Sequence, residues 1–127
     1  MKENEIGTIV VDSAIRVHSA LGPGLLEIVY EVSLGYELEQ RGLKVSRQVP
    51  VGVEYGGVKF QEGFRIDLVV EDKVIVELKS VDKVSGVHKR QLQTYLKLAG
   101  RKLGYLLNFN VDLMKSGIVR CVNGLEE

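Results

Sequence analysis

The chain has 127 residues, room for one compact domain and hardly for two. Apolar residues make up 45%, enough for a core and too many for a disordered chain, and no apolar run is long enough to span a bilayer. A net charge of zero gives no global case for nucleic acid, and Cys121, the single cysteine, excludes an internal disulfide and a multi-cysteine zinc site.

The N-terminal "MKENEIG" carries acids where a signal peptide would carry its basic and apolar regions, so the expected location is cytoplasmic. Ile6, Ile9, Val10, Ala14, Val17 and Leu21 recur at helical spacing, which predicts a helix over about 4–20, ended by "LGPG". A second helix is predicted from about Leu25 to Arg41, with Gly42 as its stop. Its start, "GLLEIVYE", sets an acid, Glu27, in an apolar run. Such an acid lies on a narrow polar seam or is held inside for a purpose, because burying an unpaired carboxylate is costly. Tyr30, one turn on, is read as packing in the core or supporting the same pocket.

The period then changes. "KVSRQVPVGVEY" is valine-rich and partly alternating, a strand whose Pro50 favours an edge or a bulge. "YGG" at 55–57 is a hairpin turn, and "VKFQEGFRIDLVV" returns as a second strand with a bulge expected at Gly63. "EDK" at 71–73 turns the chain into a third strand, "VIVELKS". "VHKRQLQTYLKLAG" is an amphipathic helix, and "KLGYLLNF" and "GIVRCV" are two further strands, the last burying Cys121 as a structural thiol. The order α-α-β-β-β-α-β-β predicts a mixed sheet packed with helices, as a single domain over 1–127.

If the 71–73 turn centres on Asp72, residues whose numbers sum to 144 face each other, and Asp67 lies opposite Glu77. Glu77 and Lys79 share a face. Two carboxylates so placed repel, and either Lys79 or a bound cation must compensate. Hard divalent ions such as Mg²⁺ or Mn²⁺ use one or two carboxylates with waters and phosphate, the equipment of phosphodiester hydrolysis. A solvated cross-strand charge triad is the plainer reading, against which the apolar neighbours speak. The segment from Lys79 to Lys102 carries seven basic residues against Asp82 alone, which suits a phosphate chain next to the acids or a solvated helix face. Within it His88, Lys89 and Arg90 are the candidate substrate contacts. His88, Gln91 and Tyr95 form one helical stripe, for orienting water or phosphate over the acids or for ordinary packing.

"RID", "ELK" with ten residues from its Glu back to the Asp, and "QLQTY" together resemble the PD-(D/E)XK nuclease superfamily. "GLLEIVY" resembles the signature of its GxxExxY family, as do "GFRIDLVV", "VIVELKS" and "LLNFN". The likeness runs from about Ile6 to Val122. It implies an α/β (α+β), restriction-endonuclease-like mixed sheet with an αβββαβ core, here with an extra N-terminal helix and C-terminal strand. It also implies Glu27, Asp67 and Glu77 as metal ligands, Lys79 beside the attacking water and phosphate, and Gln91 and Tyr95 completing a catalytic pocket. The function so implied is Mg²⁺- or Mn²⁺-dependent hydrolysis of nucleic acid, DNA ahead of RNA, without a membrane. So small a core would grip a duplex best as a homodimer. A catalytically silent nucleic-acid-binding or accessory protein with the same fold is the alternative from another class, and a structural domain with merely paired acids is the third.

Overall fold

A computed structural model describes residues 1–126. Helix α1 spans Glu3–Leu21 and α2 spans Glu27–Gln40. Strands β1 (Val45–Tyr55), β2 (Val58–Val70) and β3 (Val74–Lys79) follow, then helix α3 (Gly86–Ala99), β4 (Leu103–Asn108) and β5 (Ile118–Val122). One five-stranded sheet runs β1-β2-β3-β4-β5, with β3 and β4 parallel and the other neighbours antiparallel. The parallel pair is the one that α3 links, as a crossover between parallel strands requires. Among the described residues no helix is long and apolar enough to cross a membrane.

The turns set the register. Gly56 and Gly57 both have positive φ, as the tight β1–β2 hairpin requires. Glu71 and Asp72 also take positive φ, and Lys73 N–H bonds to the Val70 carbonyl. Leu68, Val69 and Val70 therefore pair with Val76, Ile75 and Val74, the register expected from a turn centred on Asp72. Pro50 lies on the edge strand β1, and the β1–β2 pairing shifts between Val51 and Val53. Gly63 faces that shift: a Cβ there would clash with the Val53 side chain.

The sheet is covered on both faces. Ile6, Val10 and Ala14 of α1 and Tyr30, Leu34 and Leu38 of α2 are buried with Leu68, Val76, Leu78, Leu107 and Phe109. Leu92 and Leu96 of α3 close the other face with Ile66, Val69, Ile75 and Leu106. Cys121 is half-buried at the rim of this second core, so the expected fully buried thiol is only partly so, because β5 is an edge strand.

Tyr30 ties the entry of α2 to the core. Its ring stacks on Phe109 at 4.5 Å, its hydroxyl donates to the Gly22 carbonyl at 2.6 Å, and the Leu25 N–H donates to that hydroxyl at 3.1 Å. Tyr30→Phe keeps the stack and loses both bonds, which should lower stability by about 1–2 kcal/mol. A urea midpoint shifted down at unchanged slope is the expected result.

Candidate active site

The regular β2–β3 ladder reaches Leu68–Val76, and the next pair is Asp67 and Glu77. There side chains take over from carbonyls. Asp67 N–H donates to Glu77 Oε2 at 3.2 Å, and Leu78 N–H donates to Asp67 Oδ2 at 2.9 Å. Glu77 is buried and Asp67 is half-buried. Burial first, then the hydrogen bond to Asp67 and its charge, push the Glu77 carboxyl from 4.5 to about 9, while Lys79 pulls it back. Lys79, two residues on at the end of β3, thus acts on Glu77.

Tyr95 reaches the same place from α3. Burial raises its phenol, and the charges of Glu77 and Asp67 raise it further. Its ring stacks on Phe64 of β2 at 4.1 Å. Gln91 lies one turn earlier on α3 and is exposed. Asp67, Glu77, Lys79 and Tyr95 are therefore brought together by β2, β3 and α3.

Other candidates sit differently. Glu27 is not held inside: it is the exposed first residue of α2, where an acid meets the positive end of the helix dipole. Its Oε2 accepts the Ser80 N–H at 3.3 Å, while Ser80 Oγ donates to the Leu25 carbonyl at 2.9 Å. The acid is thus beside the residue after Lys79. His88 caps its own helix, its Nδ1 accepting the Ser85 N–H at 3.2 Å. The charge of Lys89 acts on Cys121 of β5, and Arg90 lies back along Gly86.

The buried acid of α2 is Glu31, which sequence reasoning missed. It is 4% exposed; Arg47 donates twice to its Oε2, at 2.8 and 3.1 Å, and Gln48 donates to its Oε1 at 2.6 Å. The available signal was spacing, since Glu31 follows Glu27 by one turn on the side of Tyr30 and Leu34.

The PD-(D/E)XK nuclease superfamily profile matches residues 4–121. The chain belongs to this superfamily. Searches of curated proteins and of solved structures returned no match. The mixed five-stranded sheet with its three helices is the superfamily's restriction-endonuclease-like architecture, and membership implies nuclease-like chemistry on nucleic acid, for which the superfamily typically uses divalent metals.

The donor set of this nuclease-like domain suits such an ion. No three His, Cys, Asp or Glu side chains cluster closely enough among the described residues to cage a metal by themselves. Mg²⁺ needs no cage, taking one or two carboxylates and completing its shell with water and phosphate. None of the ion pairs among the described residues includes Asp67, Glu77 or Lys79. Without an ion, the pair is eased by the proton that its raised pKa keeps on Glu77 and by the charge of Lys79.

The raised Glu77 pKa gives a pH signature in the metal-free protein. A group that is more basic folded than unfolded contributes stability fully below its unfolded value of 4.5 and loses it as pH rises through about 9. Unfolding midpoints should fall across that window, and Glu77→Gln should flatten the fall. A wild-type midpoint that does not move between those limits would remove the buried, proton-holding Glu77.

Proposed function

We propose that this protein is a divalent-metal-dependent nuclease that hydrolyses phosphodiester bonds, of DNA ahead of RNA. The observation that carries the reading is the pairing of Asp67 with buried Glu77 inside the sheet's own hydrogen bonding, with Lys79 and Tyr95 acting on the same spot. Asp67 and Glu77 would hold Mg²⁺ or Mn²⁺, with Glu27 beside Ser80 reaching it through water. The ion would supply charge neutralisation at the phosphate and make a water more acidic.

The remaining work falls to the chain. Lys79 offsets charge on the scissile phosphate and can take part in proton transfer next to the attacking water. Tyr95, its phenol raised, keeps its proton at neutral pH and can donate to a phosphate oxygen. Gln91, one turn back, lines the same side of α3, and His88, Lys89 and Arg90 at the start of that helix would supply further contacts to the nucleic-acid backbone. Placement in the GxxExxY family is part of this proposal. The physical support is that Gly24 takes φ +93°, Tyr30 pins the loop around it, and Glu27 binds Ser80 next to Lys79. A second copy of the chain is the proposed partner, supported by apolar Leu25 just before α2 and Ile28, Val32 and Tyr36 along it, all exposed.

One observation favours the silent, nucleic-acid-binding alternative: the acids do not form a three-membered cluster. End-labelled single- and double-stranded DNA and RNA with Mn²⁺ or Mg²⁺ separate the two. Wild type should cut and Lys79→Ala, purified identically, should lose about 10²-fold or more in rate. Equal cutting by both would remove Lys79 from the mechanism. Binding without cutting, strengthened by Asp67→Asn, would establish the silent reading. A melting temperature that rises with Mn²⁺ in wild type and not in Glu77→Gln is the matching sign of an occupied site.

A further inference from the structure

Strands β1 and β2 change faces together at one point. Val45 packs with the α1–α2 core, yet Val49 and Val51 pack with the α3 core. Likewise Leu68 and Val70 belong to the first core, and Ile66 and Phe64 to the second. Residues two or four apart on a regular strand share a face. Arg47 pairs with Leu68 and Val49 with Ile66, so no residue is inserted between them. The exchange falls on the two residues in between, Gln48 and Asp67, and Gln48 has φ +52°, a left-handed conformation uncommon for a residue with a side chain.

The Gln48 side chain is committed in that conformation. Its Nε2 donates to Glu31 Oε1 at 2.6 Å and approaches Asp67 Oδ1 at 3.4 Å. Glu31 is buried, and Arg47 occupies its other oxygen. Burying an acid is tolerable only when it is paired and its lone pairs are used. Arg47 neutralises Glu31, and Glu31 then fixes the Gln48 amide. On the opposite side, Asp67 Oδ2 takes the Leu78 N–H at 2.9 Å. The Asp67 carboxylate is gripped from both oxygens, one by β3 and one by Gln48.

We infer that Gln48, anchored by Glu31 and Arg47, is a positioning residue that holds the Asp67 carboxylate in its ion-binding orientation. The inference rests on the proposed metal site. Glu31 on this account is no ligand; its charge is spent on Arg47 and its second oxygen on Gln48. Orienting partners of a ligating carboxylate commonly affect metal affinity by 10-fold or more. A residue that only stabilised the edge strand would change melting temperature and leave metal affinity alone.

The test is Mn²⁺ affinity, measured by titration of the intact protein without nucleic acid. Gln48→Gly accepts the positive φ and removes the amide, so the kink stays and the grip goes. Its Mn²⁺ Kd should rise about tenfold. In the cleavage assay the Mn²⁺ needed for half-maximal rate should rise equally, with the rate at saturating Mn²⁺ close to wild type. Glu31→Gln should weaken Mn²⁺ binding less, and the double variant should be no weaker than Gln48→Gly, because both act through one amide. If Gln48→Gly does not fold, Gln48→Asn takes its place: it tolerates the same φ, and its amide is one methylene too short to span Glu31 and Asp67. A Kd within twofold of wild type in the folded variant, or additive losses in the double variant, overturns the inference. Wild type that binds no Mn²⁺ overturns the metal site and this inference with it. Wild type that binds Mn²⁺ and cuts nothing overturns the nuclease reading alone, and the Kd series still decides the role of Gln48.

Discussion

The structure depends on how β2 and β3 satisfy their backbone where the ladder stops. A buried strand cannot leave N–H groups unpaired, since each would forfeit a hydrogen bond with no water to replace it. At Asp67 and Leu78 the acceptors are the carboxylates of Glu77 and Asp67, each bonded across to the other strand. The two acids are thereby components of the sheet as well as candidate ligands. The arrangement fixes their positions closely, at an electrostatic cost expressed in the raised pKa of Glu77.

Everything near the pair is aimed by other elements. Asn108 of β4, paired with Lys79, holds Val81 by its N–H and its carbonyl, so the chain leaving the Lys79 end of β3 has one path. The Ser80 N–H and hydroxyl clasp the start of α2 through Glu27 and Leu25. Tyr30 pins the other end of the same loop to Gly22. Gly24 within it has φ +93° and nothing within 4 Å of a built Cβ, so its requirement is backbone conformation and not close packing. The spacing Gly24, Glu27, Tyr30 thus has a mechanical meaning: a turn, a tie to β3 and a pin into the core.

Sequence reasoning reached the parts of this site that depend on period and turn chemistry. The 71–73 turn with two central residues at positive φ fixes the β2–β3 register, and period two then places Glu77 and Lys79 on one face. The sequence leaves Glu27 open between a polar seam and the interior, because polar residues are spread around α2 and such a helix does not announce its buried stripe. Ile28, Val32 and Tyr36 face solvent while Tyr30, Leu34 and Leu38 are buried, a difference of rotation that only the neighbouring sheet decides. Glu31 is hidden in the sequence for the same reason. The kink at Gln48 is not marked by its own residue type: glutamine does not signal positive φ, and the only irregularity the sequence offers here is Pro50, two residues on.

That hidden kink bears on why the acid pair should meet a cation. Were the pair a structural charge cluster, the nearest arginine would be expected to close it. Arg47 is adjacent in sequence to Gln48, yet it is turned to Glu31, and the Asp67–Glu77 pair is left without a close ion-pair partner among the described residues. The chain therefore pairs buried Glu31 with an arginine and gives the Asp67–Glu77 pair no such partner among the described residues. Burial of an acid pair costs stability unless a proton or a positive group offsets it, and the raised pKa of Glu77 is the mark of that proton; under the proposed function a divalent ion would take its place. The same inequality explains why overall neutrality is no guide here: the charges that matter are set by which carboxylates the fold has paired and which it has not.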